Sequence, residues 1–150
     1  MSEEKESIII YTDGACAGNP GPGGYAAIII GENTRKEISG FQNDTTNNRM
    51  ELKAVIEGLR AIRKGSKVKV FSDSSYVIKG ITDWINTWKK NGWKTSSKKN
   101  VKNKDLWIEL KDISKKFEVE FLKVKGHAGN EYNEKADSMA KKQIELQTKE

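Results

Sequence analysis

Residues 8–16 read Ile8-Ile9-Ile10-Tyr11-Thr12-Asp13-Gly14-Ala15-Cys16, and this stretch decides the fold. Its first five residues are an unbroken run of β-branched and aromatic side chains, the pattern of a strand covered on both faces and therefore central in its sheet. An acid stands at the tip. "VFSDSSY", residues 70–76, repeats the arrangement: an apolar run reaches Asp73, and a Ser-Ser pair opens a helix. One aspartate at such a junction is ordinarily a helix cap. Two of them raise another reading, because parallel neighbouring strands would set Asp13 and Asp73 side by side at the carboxyl edge, where open α/β sheets bind ligands.

Working outward, the Gly/Pro-rich stretch 14–24 is the main break, and Tyr25 to Ile30 reads as a second strand. "GENT" turns the chain into a third strand through Ile38 and Phe41. "DTTNN" supplies capping side chains for a helix whose Leu52, Val55, Ile56, Leu59 and Ile62 recur at three- and four-residue steps. Val68, Val70 and Phe71 make a fourth strand. Two short helical patterns follow, Tyr76 to Gly80 and Trp84 to Trp88. A further helix carries Leu106, Trp107, Leu110 and Ile113, and Val119, Phe121 and Val124 alternate as a fifth strand. "KGHAGN" is a loop, and a last helix runs from about Glu131 toward Ile144. The expected architecture is an α/β layered domain with a mixed five-stranded sheet. One domain over 1–150 is expected, with 1–6 and about 146–150 as frayed tails.

Hydrophobic residues at 35% and charged residues at 32% describe a soluble surface over a modest core. No apolar run approaches the ~18 residues of a membrane helix. The acidic, polar "MSEEKES" reads as neither a signal nor a transit peptide. The single Cys16 excludes an internal disulfide and fits a reducing, cytoplasmic setting. Charge is uneven. Residues 84–107, "WINTWKKNGWKTSSKKNVKNKDLW", hold seven lysines (Lys89, Lys90, Lys94, Lys98, Lys99, Lys102, Lys104) against Asp105, so this window carries the whole net charge of +6. All four tryptophans, Trp84, Trp88, Trp93 and Trp107, fall inside it. Lysines interleaved with flat aromatics suit a polyanion offering phosphates, sugars and bases. "GNPGPGG" lacks the Gly-Lys-Ser/Thr ending of a phosphate-binding loop, which argues against nucleotide binding of that kind.

Two more acids are placed to join Asp13 and Asp73. Glu51 lies one turn before Val55, beside the buried stripe of the first long helix. Asp137 flanks Ala136 and Ala140 on the last helix. Four like charges in one pocket repel unless a cation neutralises them. Mg²⁺, which takes a few carboxylate oxygens and keeps waters, suits such a set. Two ions ~4 Å apart would clamp the attacking and leaving oxygens of a phosphoryl displacement. His127, the only histidine, could carry protons beside such a site, since its pKa lies near neutrality.

"YTDGACAGNPGPGG", "TTNNRMEL", "SDSSYV", "WKKNGWKTSSKKNVKNKDLW" and "VKGHAGNEYNEKAD" together resemble ribonuclease H of type 1, bacterial in style, over roughly residues 7 to 142. The resemblance implies a sheet order of 3-2-1-4-5 and hydrolysis of the RNA strand of RNA–DNA hybrids, leaving 3′-hydroxyl and 5′-phosphate ends. Asp13, Glu51, Asp73 and Asp137 match the family's metal-binding catalytic acids, and His127 its mobile histidine. Mg²⁺ is the implied cofactor, two ions with substrate bound, with Mn²⁺ able to substitute. Residues 84–107 match the basic protrusion that grips the hybrid, with Lys89, Lys90, Lys94, Lys98, Lys99 and Lys102 as its cations.

The same resemblance assigns Gly14, Cys16, Asn19, Asn47, Asn48 and Ser75 to the RNA strand, where the 2′-hydroxyl distinguishes RNA from DNA. Thr46 and Asn103 match a pocket for a DNA-strand phosphate, and Trp84, Trp88 and Ser96 a DNA-facing channel. Asp44 stands where some relatives place an arginine, and Ser75 where others carry Gln or Met. A monomer with no protein partner and no membrane association is expected. Two alternatives stay open at this stage: a hybrid-binding module without catalysis, and a DNA nuclease of the same fold.

Overall fold

A computed structural model describes residues 7–124 and 131–148. Strands β1 (Ser7–Cys16), β2 (Gly21–Ile30) and β3 (Arg35–Thr45) form an antiparallel meander. Helix α1 (Asn47–Arg60) then crosses over to β4 (Lys67–Ser72), which pairs parallel with β1. The short α2 (Ser75–Lys79), a π-helical stretch at Gly80–Trp84 and α3 (Ile85–Lys90) run on without a break. Helix α4 (Lys104–Ser114), β5 (Glu118–Lys123) and α5 (Glu131–Thr148) complete the order. The sheet order is β3-β2-β1-β4-β5, mixed and five-stranded, with β1 in the middle as its apolar run requires.

The pleat divides β1 between two cores. Ile8 and Ile10 pack on one side with Leu52, Val55, Ile56 and Leu59 of α1 and with Leu106, Trp107 and Leu110 of α4. On the other side Ala26 and Ile28 of β2 meet Ala136 and Ala140 of α5, small residues that let the helix settle close to the strands. Tyr11 stacks there between Phe71 and Tyr132, with ring centroids 5.0 and 5.2 Å away. This alternation sends Ile8 and Ile10 to one layer and Tyr11 to the other, so one strand serves both.

Several boundaries differ from the sequence reading. β1 continues three residues past Asp13, pairing Gly14 with Tyr25, Ala15 with Gly24 and Cys16 with Gly23. The glycines expected to break the chain therefore lie inside a hairpin, and the turn shrinks to residues 17–20, closed by Ala17 N–H donating to Pro22 O at 2.8 Å. The two short helical patterns after β4 are one helical run. Helix α5 reaches Thr148, past Ile144 and into the stretch from about 146 expected to fray, in keeping with last turns that contain neither Gly nor Pro.

The basic segment is also more structured than a loop. Lys94 bridges to Asn100, Thr95 N–H donates to Lys99 O at 2.7 Å, and Val101 N–H donates to Trp93 O at 3.0 Å. Val101 is buried and Trp93 half-buried against the core, so the hairpin-like tip is pinned at its base. A row of rings continues inward: Trp93 to Trp88 at 6.4 Å, Trp88 to Trp107 at 5.4 Å and Trp107 to Tyr76 at 5.3 Å. Trp107 is fully buried with its six-membered ring against Gly80, where an added Cβ would fall 2.0 Å from a ring carbon. Gly80→Ala is therefore expected to destabilise the fold by roughly 1–3 kcal/mol, the usual cost of overpacking a core. Urea unfolding followed by tryptophan fluorescence would measure it, and an unchanged midpoint would show that the ring is not tightly held.

Candidate active site

The register of β1 on β4 settles the opening question. Their last parallel pair is Thr12 with Ser72, so Asp13 and Asp73 are the next residues along, side by side where β4 stops. Asp73 is not the cap of the following helix. Ser74 is, its hydroxyl accepting from Val77 N–H at 3.2 Å, and this leaves the Asp73 carboxylate for other work. The same division of labour appears at α1. Thr46 caps that helix by accepting from Arg49 N–H at 3.3 Å, which leaves Asn47 and Asn48 unencumbered.

Glu51 comes to the aspartates from α1 by passing over Gly14. A Cβ on Gly14 would lie 2.4 Å from Glu51 N and 2.9 Å from Met50 Cβ, so only glycine allows α1 this close to β1. Gly14 N–H donates to Asp13 Oδ1 at 2.9 Å and also to Glu51 Oε1. One carboxylate oxygen from each of Asp13, Glu51 and Asp73 lies within 4.8 Å of the other two. Asp13 and Glu51 retain only 5% and 4% of their surface, which makes their charge costly.

That cost appears in their acidities. Burial, first, pushes Asp13 up to about 7, with the charge of Asp73 and a hydrogen bond to Asp137 adding to it. The Glu51 hydrogen bond and Gly14 N–H act against the shift. Glu51 is raised well above its ordinary range, again by burial first, then by its hydrogen bond to Asp13 and the charges of Asp13 and Asp73. Without a cation, both carboxyls favour their protonated forms more strongly than free acids do. Buried, acceptor-only oxygens this close, with one peptide N–H among them, form the donor set of a hard divalent cation such as Mg²⁺. The chemistry of the donors therefore fits a metal.

Asp137 lines the same cleft, of about 460 Å³, but lies outside the tight set of three. Its Oδ2 is 3.0 Å from Lys141 Nζ, one turn on along α5. That ion pair raises the lysine pKa, with a further small contribution from Asp13. Lys141 was missed at the sequence level, although acid–lysine spacing at i,i+4 was the available signal. Tyr76, Asn133 and Glu134 are further cleft residues that periodicity did not flag. His127 lies outside the described residues.

The remaining expected residues divide into three groups. Gly14, Asn47, Asn48 and Ser75 line the acidic cleft itself. Asn19 and Cys16 stand behind it: Asn19 Oδ1 accepts from Asn47 N–H at 3.2 Å, and the half-buried Cys16 thiol lies 3.4 Å from both Gly21 O and Thr45 O. Thr46 and Asn103 meet through Arg49, whose Nη1 donates to Asn103 Oδ1 at 3.2 Å. Trp84 is exposed with its ring against both Tyr76 and Trp88, Trp88 is half-buried within the ring row, and Ser96 is exposed on the basic tip. Lys89, Lys90, Lys94, Lys98, Lys99 and Lys102 are all exposed.

Comparison with known proteins agrees with this architecture. The RNase H family profile matches residues 5–145. A ribonuclease H of Thermoanaerobacter sp. (strain X514) is 55% identical over 151 residues, covering 100% of this chain and 97% of that one. One of Wolbachia pipientis wMel is 54% identical over 140 residues, covering 93% and 97%. Among solved structures, LC9-RNase H1, a type 1 enzyme with the type 2 active-site motif, superposes with a TM-score of 0.88 at 32% identity, over 99% of this chain and 76% of that one. LC11-RNase H1 in complex with an RNA/DNA hybrid gives 0.72 at 25% identity, over 93% and 98%. With the sheet order, the converging acids and full-length relatives all in agreement, this chain belongs to the ribonuclease H family.

Proposed function

We propose that this protein is a divalent-metal-dependent endoribonuclease that hydrolyses the RNA strand of RNA–DNA hybrids, leaving 3′-hydroxyl and 5′-phosphate ends. The observation that carries the reading is the set of buried Asp13 and Glu51 with half-buried Asp73, which bring one oxygen each to within 4.8 Å of the others beside asparagines that can read a sugar edge. A module that only bound hybrids would gain nothing from holding repelling acids together, which disfavours the non-catalytic alternative.

In this reading Asp13, Glu51, Asp73 and Asp137 hold Mg²⁺, two ions once substrate is present, with Mn²⁺ as a possible replacement. Such ions lower the pKa of bound water and offset charge on the phosphate oxygens during in-line displacement. The chain does the rest. Asn47, Asn48 and Ser75, with Gly14 and Cys16 backbone nearby, present neutral hydrogen-bonding groups to the 2′-hydroxyls of the RNA strand, and Asn19 steadies the first turn of α1 from below. Thr46 and Asn103 receive a phosphate of the DNA strand, and Trp84, Trp88 and Ser96 border its channel. The protrusion lysines neutralise phosphates away from the cleft. His127 relays protons and helps product leave. Selection of RNA rests on the asparagine set, which disfavours a DNA nuclease.

The protein acts as a monomer in the cytoplasm on this proposal. No helix among the described residues is long and apolar enough to cross a membrane.

Asp13→Asn is expected to lower hybrid cleavage roughly a thousandfold or more, a loss of ~4 kcal/mol of transition-state stabilisation, while hybrid binding survives. Substantial Mg²⁺-dependent cutting by this variant would remove Asp13 from the metal set. The same substitution tests the electrostatics. Because Asp13 and Glu51 titrate higher folded than the ordinary range near 4, the folded state binds more protons than the unfolded one. Metal-free stability from this pair is therefore full below about pH 4 and is lost as pH rises toward 7. Asp13→Asn should flatten that decline and raise the metal-free Tm at pH 8 by about 3 °C, where 1 kcal/mol is worth roughly 2–4 °C. Calorimetry across pH in EDTA would check it, and a lowered Tm would mean the acids are not in conflict. Replacing Lys98, Lys99 and Lys102 with Gln should reduce the slope of log affinity against log salt by roughly 2 to 3, at about 0.9 per phosphate contact. An unaltered slope would take the protrusion out of the substrate interface.

A further inference from the structure

Asn103 occupies the position just before α4, in a left-handed conformation (φ 61°) that asparagine tolerates well. A side chain there commonly caps the helix, yet this one makes no capping bond. Its amide is held at both ends instead. Oδ1 accepts from Arg49 Nη1 at 3.2 Å, and Nδ2 donates to Tyr76 Oη at 3.0 Å. Tyr76 Oη also accepts from Trp107 Nε1 at 3.0 Å, so this partner is itself fixed by the buried ring row. An amide nitrogen carries two hydrogens, and the second has no partner among the described residues.

Arg49 repeats the arrangement on α1. Its backbone N–H occupies the Thr46 hydroxyl oxygen at 3.3 Å, which leaves that hydroxyl's own hydrogen to point elsewhere. Its guanidinium is locked on Asp105 by two bonds of 2.9 and 2.7 Å, so its charge is matched before any ligand arrives. Asp105 falls below the usual carboxylate range through that contact first. A neutralised, doubly anchored arginine makes a poor anion ligand but a stiff bracket. Its backbone touches one and its guanidinium the other of two half-buried polar groups whose remaining hydrogens have no partner among the described residues.

We propose that Arg49 is a positioning residue for the DNA-strand phosphate: with its backbone on Thr46 and its guanidinium on Asn103, it holds one O–H and one N–H as a neutral donor pair for a single phosphate oxygen. This deepens the hybrid-cleaving reading above and rests on it. Asp44, near the same helix start, brings no cation to the pocket, so affinity there depends on donor geometry. Losing the bracket loosens binding and leaves the chemistry at the acids alone.

The test is steady-state cleavage of a defined hybrid by wild type, Arg49→Gln, Arg49→Lys, Asn103→Ala and the Arg49→Gln/Asn103→Ala double variant. A matched series of hybrids would carry one neutral methylphosphonate at each DNA-strand position in turn. Both Arg49 variants should raise KM roughly five- to tenfold, the scale of one or two hydrogen bonds, with kcat within about twofold. The double variant should be no worse than Asn103→Ala, and one methylphosphonate position should erase the gap between wild type and Arg49→Gln. Arg49→Lys restoring wild-type KM would show that bare charge suffices and overturn the proposal. Additive effects, a penalty that persists on every methylphosphonate hybrid, or a lowered Tm with unchanged KM would also overturn it. Wild-type KM in Asn103→Ala would remove the phosphate subsite and this proposal with it, while hybrid cleavage stood. Failure of wild type to cut hybrid at all would instead sink the broader reading.

Discussion

Two carboxyl groups that water scarcely reaches, Asp13 and Glu51, are pressed together beside a third, Asp73, and the rest of the molecule is arranged around that unfavourable contact. A carboxylate so poorly solvated must share a proton, find donors or meet a cation. Among the described residues, one peptide donor, Gly14 N–H, serves two of them. Such an arrangement persists only if the surrounding structure fixes it more strongly than the charges oppose it. The fixing comes from the parallel register of β1 and β4, the isoleucine and leucine packing beneath α1, and the bare glycine surface over which Glu51 approaches. Stability is spent where a cation will later be held, a common trade between fold and function.

The acidic cleft poses a second problem, since without a cation its field repels any polyanion. The lysines answer it at a distance. They stand exposed at the end of α3 and on the tip that Val101 and Trp93 anchor, with a row of aromatic rings leading back to Tyr76 at the cleft wall. Basic and acidic regions are thus mechanically joined while their charges stay apart. Tyr76 belongs to both, lining the cleft and accepting hydrogen bonds from Asn103 and Trp107. The arginine bracket at Arg49 ties the start of α1 to the start of α4 along the same route.

Much of this was legible along the chain. Apolar runs and three- and four-residue periodicity located the strands and long helices, because each reflects which face of one element meets the core. The lysine and tryptophan window was visible as composition alone. Boundaries at glycines were not, since Gly14 and Gly24 read as breakers yet lie within the paired strands of a hairpin, opposite Tyr25 and Ala15. Local propensity yields there to a partner strand. The fused helical run after β4 was hidden for a similar reason: Gly80 interrupts the pattern only until the Trp107 ring that needs its bare surface is known.

By itself the sequence determined which segments are strands, that β1 lies centrally, which acids stand near strand ends, and where the positive charge is concentrated. Periodicity and charge are properties of neighbours in the chain, so they can be read without folding it. Only the tertiary structure decided that Ser74 and not Asp73 caps its helix, that Asp137 lies outside the tight cluster, and that Arg49 bridges Thr46 to Asn103. Each of these depends on distances between groups far apart in sequence or on competition between adjacent side chains for one donor. Packing, rather than pattern, chooses the winner.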